Sequence, residues 1–193
     1  MPRFVVLLRG VNVGKGNRIA MAEFSRLLAE LGFNEVRTLL NSGNAVCTGT
    51  GRSSAVHART IASALQDRLG LSVAVVVRSA PEFGAVIAAS PLALPAQEHS
   101  RYLVAFAQER GALQQLATLT DAVQAPERFV VGDHAAYLHC ARGILQSRAA
   151  SALLGKAGRG VTTRNWATVL KLGALLRSSA PQRSATHPVA KES

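Results

Sequence analysis

The sequence is poor in cysteine, in aromatic rings and, over its last third, in acid. Cys47 and Cys140 are the only cysteines among 193 residues. Two are too few for a disulfide framework, and no C-x-x-C or other metal-ligand spacing accompanies them. Each sits in a strand-like segment, where cysteine behaves as a small buried apolar residue, so both are expected reduced. Aromatic residues are 5% of the chain against 48% hydrophobic, which demands an aliphatic core. No apolar run approaches the ~18 residues of a membrane-spanning helix. The run "FVVLL" at 4–8 is ended by Arg9 and is too short for a secretory leader. A cytoplasmic protein with no membrane partner is expected. His57, His99, His134, His139 and His187 never pair at metal-binding spacing, and G-x-S-x-G is missing, so neither a metal centre nor a hydrolase elbow is foreseen.

Periodicity is what the chain has in quantity. Phe4–Leu8 reads as a buried central strand. Ala22–Leu31 carries Phe24, Leu27, Leu28 and Leu31 on one helical stripe and stops at Gly32. Glu35–Leu40 and Asn44–Thr48 flank the hairpin signal "NSG". Ser54–Leu69 is a second helix, Val73–Val77 a further strand and Ala80–Ala89 a short helix. The strands and first two helices run β-α-β-β-α-β, the split βαβ or ferredoxin-like order. The Pro-punctuated "SPLALPAQEHS" at 90–100 reads as a boundary, after which the pattern restarts. Tyr102–Ala107 is a strand, Ala112–Leu119 a helix, and Arg128–Val131 with Ala135–Cys140 a hairpin about Gly132–Asp133. Ser147–Leu154 and Arg164–Leu176 read as helices. The expected fold is α+β: two ferredoxin-like subdomains in tandem, at 1–92 and 93–177. The second is expected to be a degenerate copy that ends in a helix in place of its last strand, with Cys47 and Cys140 at matching places. Residues 178–193 are polar and aperiodic, the composition of a disordered tail.

"RGVNVGKGN" at 9–17 joins the first strand to the first helix. It is not a P-loop: only three residues separate Gly10 from Gly14, and Gly16 follows Lys15 where Ser or Thr would hold Mg²⁺. What remains is a set of backbone N–H groups, Lys15, Arg18 and the positive end of a helix. In a split βαβ fold this loop and the second–third strand hairpin share one end of the sheet. Arg9, Asn12, Lys15, Asn17 and Arg18 therefore fall beside Asn41, Ser42 and Asn44. Amides, a hydroxyl and cations without a carboxylate suit an anion. They are poor equipment for general acid–base catalysis.

From His134 to Lys191 there is no Asp or Glu, while the net charge of the chain is +11 and 18 of its 22 basic residues are Arg. Such an imbalance favours an anionic partner, a phosphorylated small molecule or nucleic acid. With only Tyr137 and Trp166 in that stretch, a base-stacking platform is not expected. Thr162 or Thr163 is read as the cap of the last helix. Arg164 and Asn165 stand at its start with no evident structural need to be these types, and with Arg148 they join the anion-binding candidates. No cofactor is implied.

The stretch "LLRGVNVGKGNRIAMAEFSRLLAELGFNEVRTLLNSGNAV" closely resembles the start of domain-of-unknown-function family 1697, and "TTRNWATVLKL" resembles that family's C-terminal signature. The resemblance runs over roughly residues 3–176. It implies a two-subdomain α+β arrangement and no particular reaction. Its motif positions fall on Arg9, Gly10, Asn12, Gly14, Lys15 and Asn17, on Met21, on Ser42, Gly43 and Asn44, and on Ser147, Thr163, Arg164, Asn165 and Trp166. The chain departs at Ala20, Asn41 and Ala167, where Lys, Gln and Asn are usual.

The favoured reading is a small basic protein that binds a phosphate-bearing ligand, a nucleotide or nucleic acid at this edge. The alternatives are an enzyme of unknown class with Ser42 or Lys15 as nucleophile or base, and a protein-interaction module.

Overall fold

Five consecutive apolar residues require burial on both faces of a strand, and this decides the centre of the first sheet. The structure, a computed structural model, describes residues 1–14, 16–51 and 53–178. In it β1 (Arg3–Leu8) runs between β3 (Asn44–Thr48) and β4 (Val75–Ser79), and β2 (Asn34–Thr38) completes an antiparallel sheet of order β2-β3-β1-β4. Alternate residues face opposite ways. Phe4, Val6 and Leu8 pack under α1 (Met21–Glu30) and α2 (Ser54–Leu69), while Val5 and Leu7 face the other half of the chain.

That half repeats the plan. β5 (Tyr102–Ala107) is again central, between β7 (Ala136–His139) and β8 (Val161–Asn165), with β6 (Arg128–Val131) outermost, giving the order β6-β7-β5-β8. Leu103, Ala105 and Ala107 pack with residues of α4 (Arg110–Gln115), of the 3-10 turn Leu116–Ala122 and of α5 (Arg148–Leu154). The remaining helices, α3 (Ala80–Ala88) and α6 (Trp166–Arg177), belong to one shared core between the inner faces of the two sheets. Phe83 of α3 stacks on Phe106 of β5 at 5.6 Å, and the Tyr137 hydroxyl donates to the Val86 carbonyl at 2.7 Å. Reciprocally, Arg3 of β1 donates to the Leu176 carbonyl of α6 at 2.7 Å. The last helix of each half thus packs on the sheet of the other.

The second half is not short of a strand. Residues expected to cap and open the last helix form β8, and α6 starts only at Trp166, with Asn165 as its cap accepting from Thr168 N at 2.9 Å. The registers make the repeat explicit. Leu8, Val6, Val5 and Phe4 face Val75, Val77, Arg78 and Ser79, while Ala107, Ala105, Val104 and Leu103 face Val161, Thr163, Arg164 and Asn165. Arg78 is therefore the counterpart of Arg164, and the helix cap Ser79 that of Asn165. Smaller corrections concern element ends. β4 lies two residues later than the apolar run implies, because Ser79 is needed both in the ladder and as the cap of α3. Cys47 and Cys140 are not matched: Phe4 faces Cys47, whereas its counterpart Leu103 faces Leu138. Both thiols are free and buried, and burial pushes them up, Cys47 to about 12 and Cys140 to about 11. Ser178, expected in the tail, accepts from Arg3 and Arg37. The rest of the expected tail, 179–193, lies outside the described residues.

One histidine packs its ring against the first core. His57 of α2 lies edge-on to Phe4 and Phe33, with ring centroids at 4.7 and 5.0 Å, and its Nε2 is buried without a hydrogen-bond partner among the described residues. Burial holds its imidazole below the ordinary value of 6.5. On acidification the unfolded chain takes up this proton first, so its share of stability is full above about 6.5 and is lost as the pH falls toward the folded value. Urea midpoints taken from about pH 7.5 to 5.5 should decline in the native protein and decline less in His57→Phe; parallel declines would show that His57 is not the group responsible.

Candidate anion-binding cleft

The loop after β1 must turn sharply, and it does so on left-handed residues: Gly10 (φ 63°), Asn12 (φ 57°) and Gly14 (φ 57°). Asparagine tolerates this conformation better than most side chains. Asn12 also uses its amide fully within the protein. Its Nδ2 donates to the carbonyls of Ile19 at 2.8 Å and Asn41 at 2.7 Å, and its Oδ1 accepts from Ile19 N at 3.0 Å. The loop and the β2–β3 turn are therefore tied together, and Leu8 N donating to Gly43 O at 2.8 Å adds a second link. Asn44 is fully buried beneath them. Its Nδ2 donates to Leu39 O and to Ser42 Oγ, each at 2.9 Å.

Arg164 reaches into this corner from β8. Its Nε donates to Asn44 Oδ1. Its Nη1 donates to Thr162 Oγ1 at 2.8 Å and Thr163 O at 2.7 Å, and its Nη2 to Leu8 O at 2.8 Å and Ser42 O at 3.0 Å. Every guanidinium nitrogen is satisfied by a neutral oxygen, and no carboxylate pairs with Arg164 among the described residues. Burial pulls it down to about 10, still well above neutrality, so it remains a cation. The expectation that Arg164 and Asn165 have no structural duty is corrected: one joins the two halves, the other caps α6.

Arg164 forms part of the floor of a cleft of about 570 Å³ between the two halves. Arg9 and Ser42 line it from the first half, and Thr163, Asn165 and Thr168 from the second. No Asp, Glu, His, Cys or described Lys is among its lining residues. Arg9 is half-buried, and its side chain has no hydrogen-bond or ion-pair partner among the described residues. Asn12, Arg18 and Asn41 line a shallower depression at the start of α1, where Arg18 is folded back on Gly14 O at 2.6 Å. Asn17 and Arg148 are exposed and line neither hollow. Lys15 lies outside the described residues, as do Arg183 and Lys191 of the basic third. Sequence reasoning missed Thr163 and Thr168 as lining residues. The β-branched run Val161-Thr162-Thr163 was the available signal for a strand there.

A second hollow of about 400 Å³ sits at the related position. There Arg78 donates to the Ala107 carbonyl, as Arg164 does to Leu8, the counterpart of Ala107. Gln108 follows Ala107 where Arg9 follows Leu8, and its Oε1 accepts from Val77 N at 3.1 Å. This hollow carries acid: Asp133 pairs with Arg110 at 2.6 Å, and Glu82 accepts from Ser54 Oγ at 2.6 Å. Burial pushes Glu82 up, but donors on Ser54 and Ser79 outweigh it and hold the carboxyl below its ordinary range.

These features define a class: an α+β protein of two four-stranded antiparallel sheets that share a helical layer, with a carboxylate-free cleft at their junction. The chain belongs to the family described as "Protein of unknown function (DUF1697)", which matches residues 1–137. The match takes in the loop and the hairpin and ends before β8. No curated protein matches the chain. A conserved bacterial protein from Streptococcus pneumoniae shares the fold: TM-score 0.74 at 24% identity, over 91% of this chain and 99% of that one. Among the described residues no helix is long and apolar enough to cross a membrane.

Proposed function

We propose that this protein binds an anionic, phosphate-bearing ligand in the cleft between its two halves. The observation that carries the reading is Arg9, a half-buried cation without a partner among the described residues, beside the uncompensated charge of Arg164 in a cleft that no described acidic side chain lines. Two positive charges in a partly desolvated hollow raise the local concentration of anions. Because Arg164 has spent its donors on the protein, Arg9 and Thr163 are the groups that touch the ligand, and Arg164 acts by its charge and by holding the walls. We read each half as a ferredoxin-like unit, 1–92 and 93–177, supported by the repeated strand order. Two buried free thiols support a reducing, cytoplasmic setting.

The test is calorimetric titration with AMP across a salt series on the native protein, Arg9→Gln and Arg148→Gln. Saturable binding should fall about tenfold or more in Arg9→Gln, the ~1.4 kcal/mol of one charge-assisted contact, and stay unchanged in Arg148→Gln. Equal losses in both variants would mean diffuse attraction to a basic surface, and the cleft would not be the site.

A further inference from the structure

The anion is one end of the ligand, and the walls of the cleft identify the other. Seven large apolar side chains are exposed among the described residues, and three of them, Val13, Leu40 and Leu154, line this one cleft. They come from three separate segments: the loop after β1, the β2–β3 turn and the end of α5. Buried Leu153 continues the same wall. Leu40 is held at φ 58°, a left-handed conformation that disfavours leucine and that a Gly or Asn would adopt at lower cost. An apolar side chain kept on a turn at that cost, and left 55% exposed, is placed for contact. A volume of about 570 Å³ lies within the ~300–1,000 Å³ of small-molecule sites, which combine apolar walls with a few polar anchors.

The related hollow serves as an internal control. It keeps the arginine that clamps the opposite central strand, but Gln108 stands at the counterpart of Arg9, Asp133 and Glu82 supply acid, and no exposed large apolar residue lines it. The clamp is therefore common to both halves. Among the described residues, the pairing of an unpartnered cation with an apolar rim is present in the first cleft and absent from its counterpart. Resting on the anion-binding reading, we infer that the ligand is a small amphipathic anion, a phosphate attached to a planar or aliphatic apolar body. The phosphate meets Arg9 and Thr163, the body lies against Val13, Leu40 and Leu154, and each chain takes one molecule. A nucleic-acid strand fits less well, because it needs a row of cations along its backbone and this rim is apolar.

Titration with phenyl phosphate, inorganic phosphate, AMP and a single-stranded RNA dodecamer tests this. Phenyl phosphate should bind once per chain and about tenfold or more tighter than inorganic phosphate, since the ring adds buried apolar area. The double variant Val13→Ser, Leu154→Ser changes two exposed side chains and should melt like the native protein. It should lose most of that preference while binding inorganic phosphate unchanged. Equal affinities for phenyl and inorganic phosphate, both weakened by Arg9→Gln, would overturn the amphipathic ligand and leave the anion site standing. No binding of any anion would overturn both. A dodecamer that binds more than about tenfold tighter than AMP, with a salt slope reporting several phosphates, would replace the small ligand by nucleic acid.

Discussion

Arg164→Met is expected to lower the melting temperature by roughly 10 °C, from about 4 kcal/mol of lost stability at ~2–4 °C per kcal/mol for a chain of this size. The methionine fills most of the space but donates nothing. Six acceptors would lose a donor at once, Leu8 O, Ser42 O, Gly43 O, Asn44 Oδ1, Thr162 Oγ1 and Thr163 O, although Gly43 O keeps Leu8 N and Leu8 O keeps the longer contact from Thr162 Oγ1. Each unmet buried group costs on the order of 1–3 kcal/mol, and relaxation toward the cleft returns part of the total. Arg164→Lys should fare little better, because a compact ammonium cannot span acceptors arranged for a planar fork. Arg78→Met should cost less, since among the described residues the counterpart has only the Val77 and Ala107 carbonyls as hydrogen-bond acceptors. Thermal melts of the three variants decide the matter. An Arg164→Met protein that melts within a few degrees of the native one would show that the two halves do not depend on this residue.

Gly43→Ala is expected to cost about 3 kcal/mol, combining a left-handed backbone at ~1–2 kcal/mol with overpacking at ~1–3 kcal/mol. Gly43 has φ 72°, and a Cβ there would lie 2.6 Å from Val11 Cγ2 and 2.7 Å from Leu8 Cβ. Both neighbours are fully buried, so neither can step aside. Gly51→Ala is the matched control. Its φ is 77°, and a Cβ there would meet nothing within 4 Å, so only the backbone cost applies. The difference between the two variants in urea denaturation isolates the close approach of the hairpin to β1. Equal losses would mean that the approach is not tight.

Legibility followed the range of the forces involved. The helix Ser54–Leu69 and the strands Asn44–Thr48, Tyr102–Ala107 and Arg128–Val131 fall where apolar spacing and turn residues put them. β8 was misread because Val-Thr-Thr-Arg-Asn is polar enough to pass for a helix cap. Its strand character comes from pairing with β5 and from Arg164, which buries the polar groups by bonding them. Among the candidate site residues, the meeting of the loop and the hairpin followed from strand order alone. What could not be read was which donors remain available. Asn12, Asn44 and Arg164 look like ligand-binding groups and are consumed by the protein itself. Arg9 is the candidate cation that lines the cleft and has no side-chain partner among the described residues.

By itself the sequence determined most of the elements, the existence of a repeat and the excess of positive charge, because each arises from neighbours a few residues apart or from a simple sum; the last strand of the repeat was not among them. The tertiary structure alone decided which residues line the candidate cleft. Arg164 and Asn44 are 120 residues apart, and Val13, Leu40 and Leu154 come together only when the two halves dock. A partner so distant in the chain leaves no periodic trace, since its pairing depends on how two finished sheets share a layer of helices.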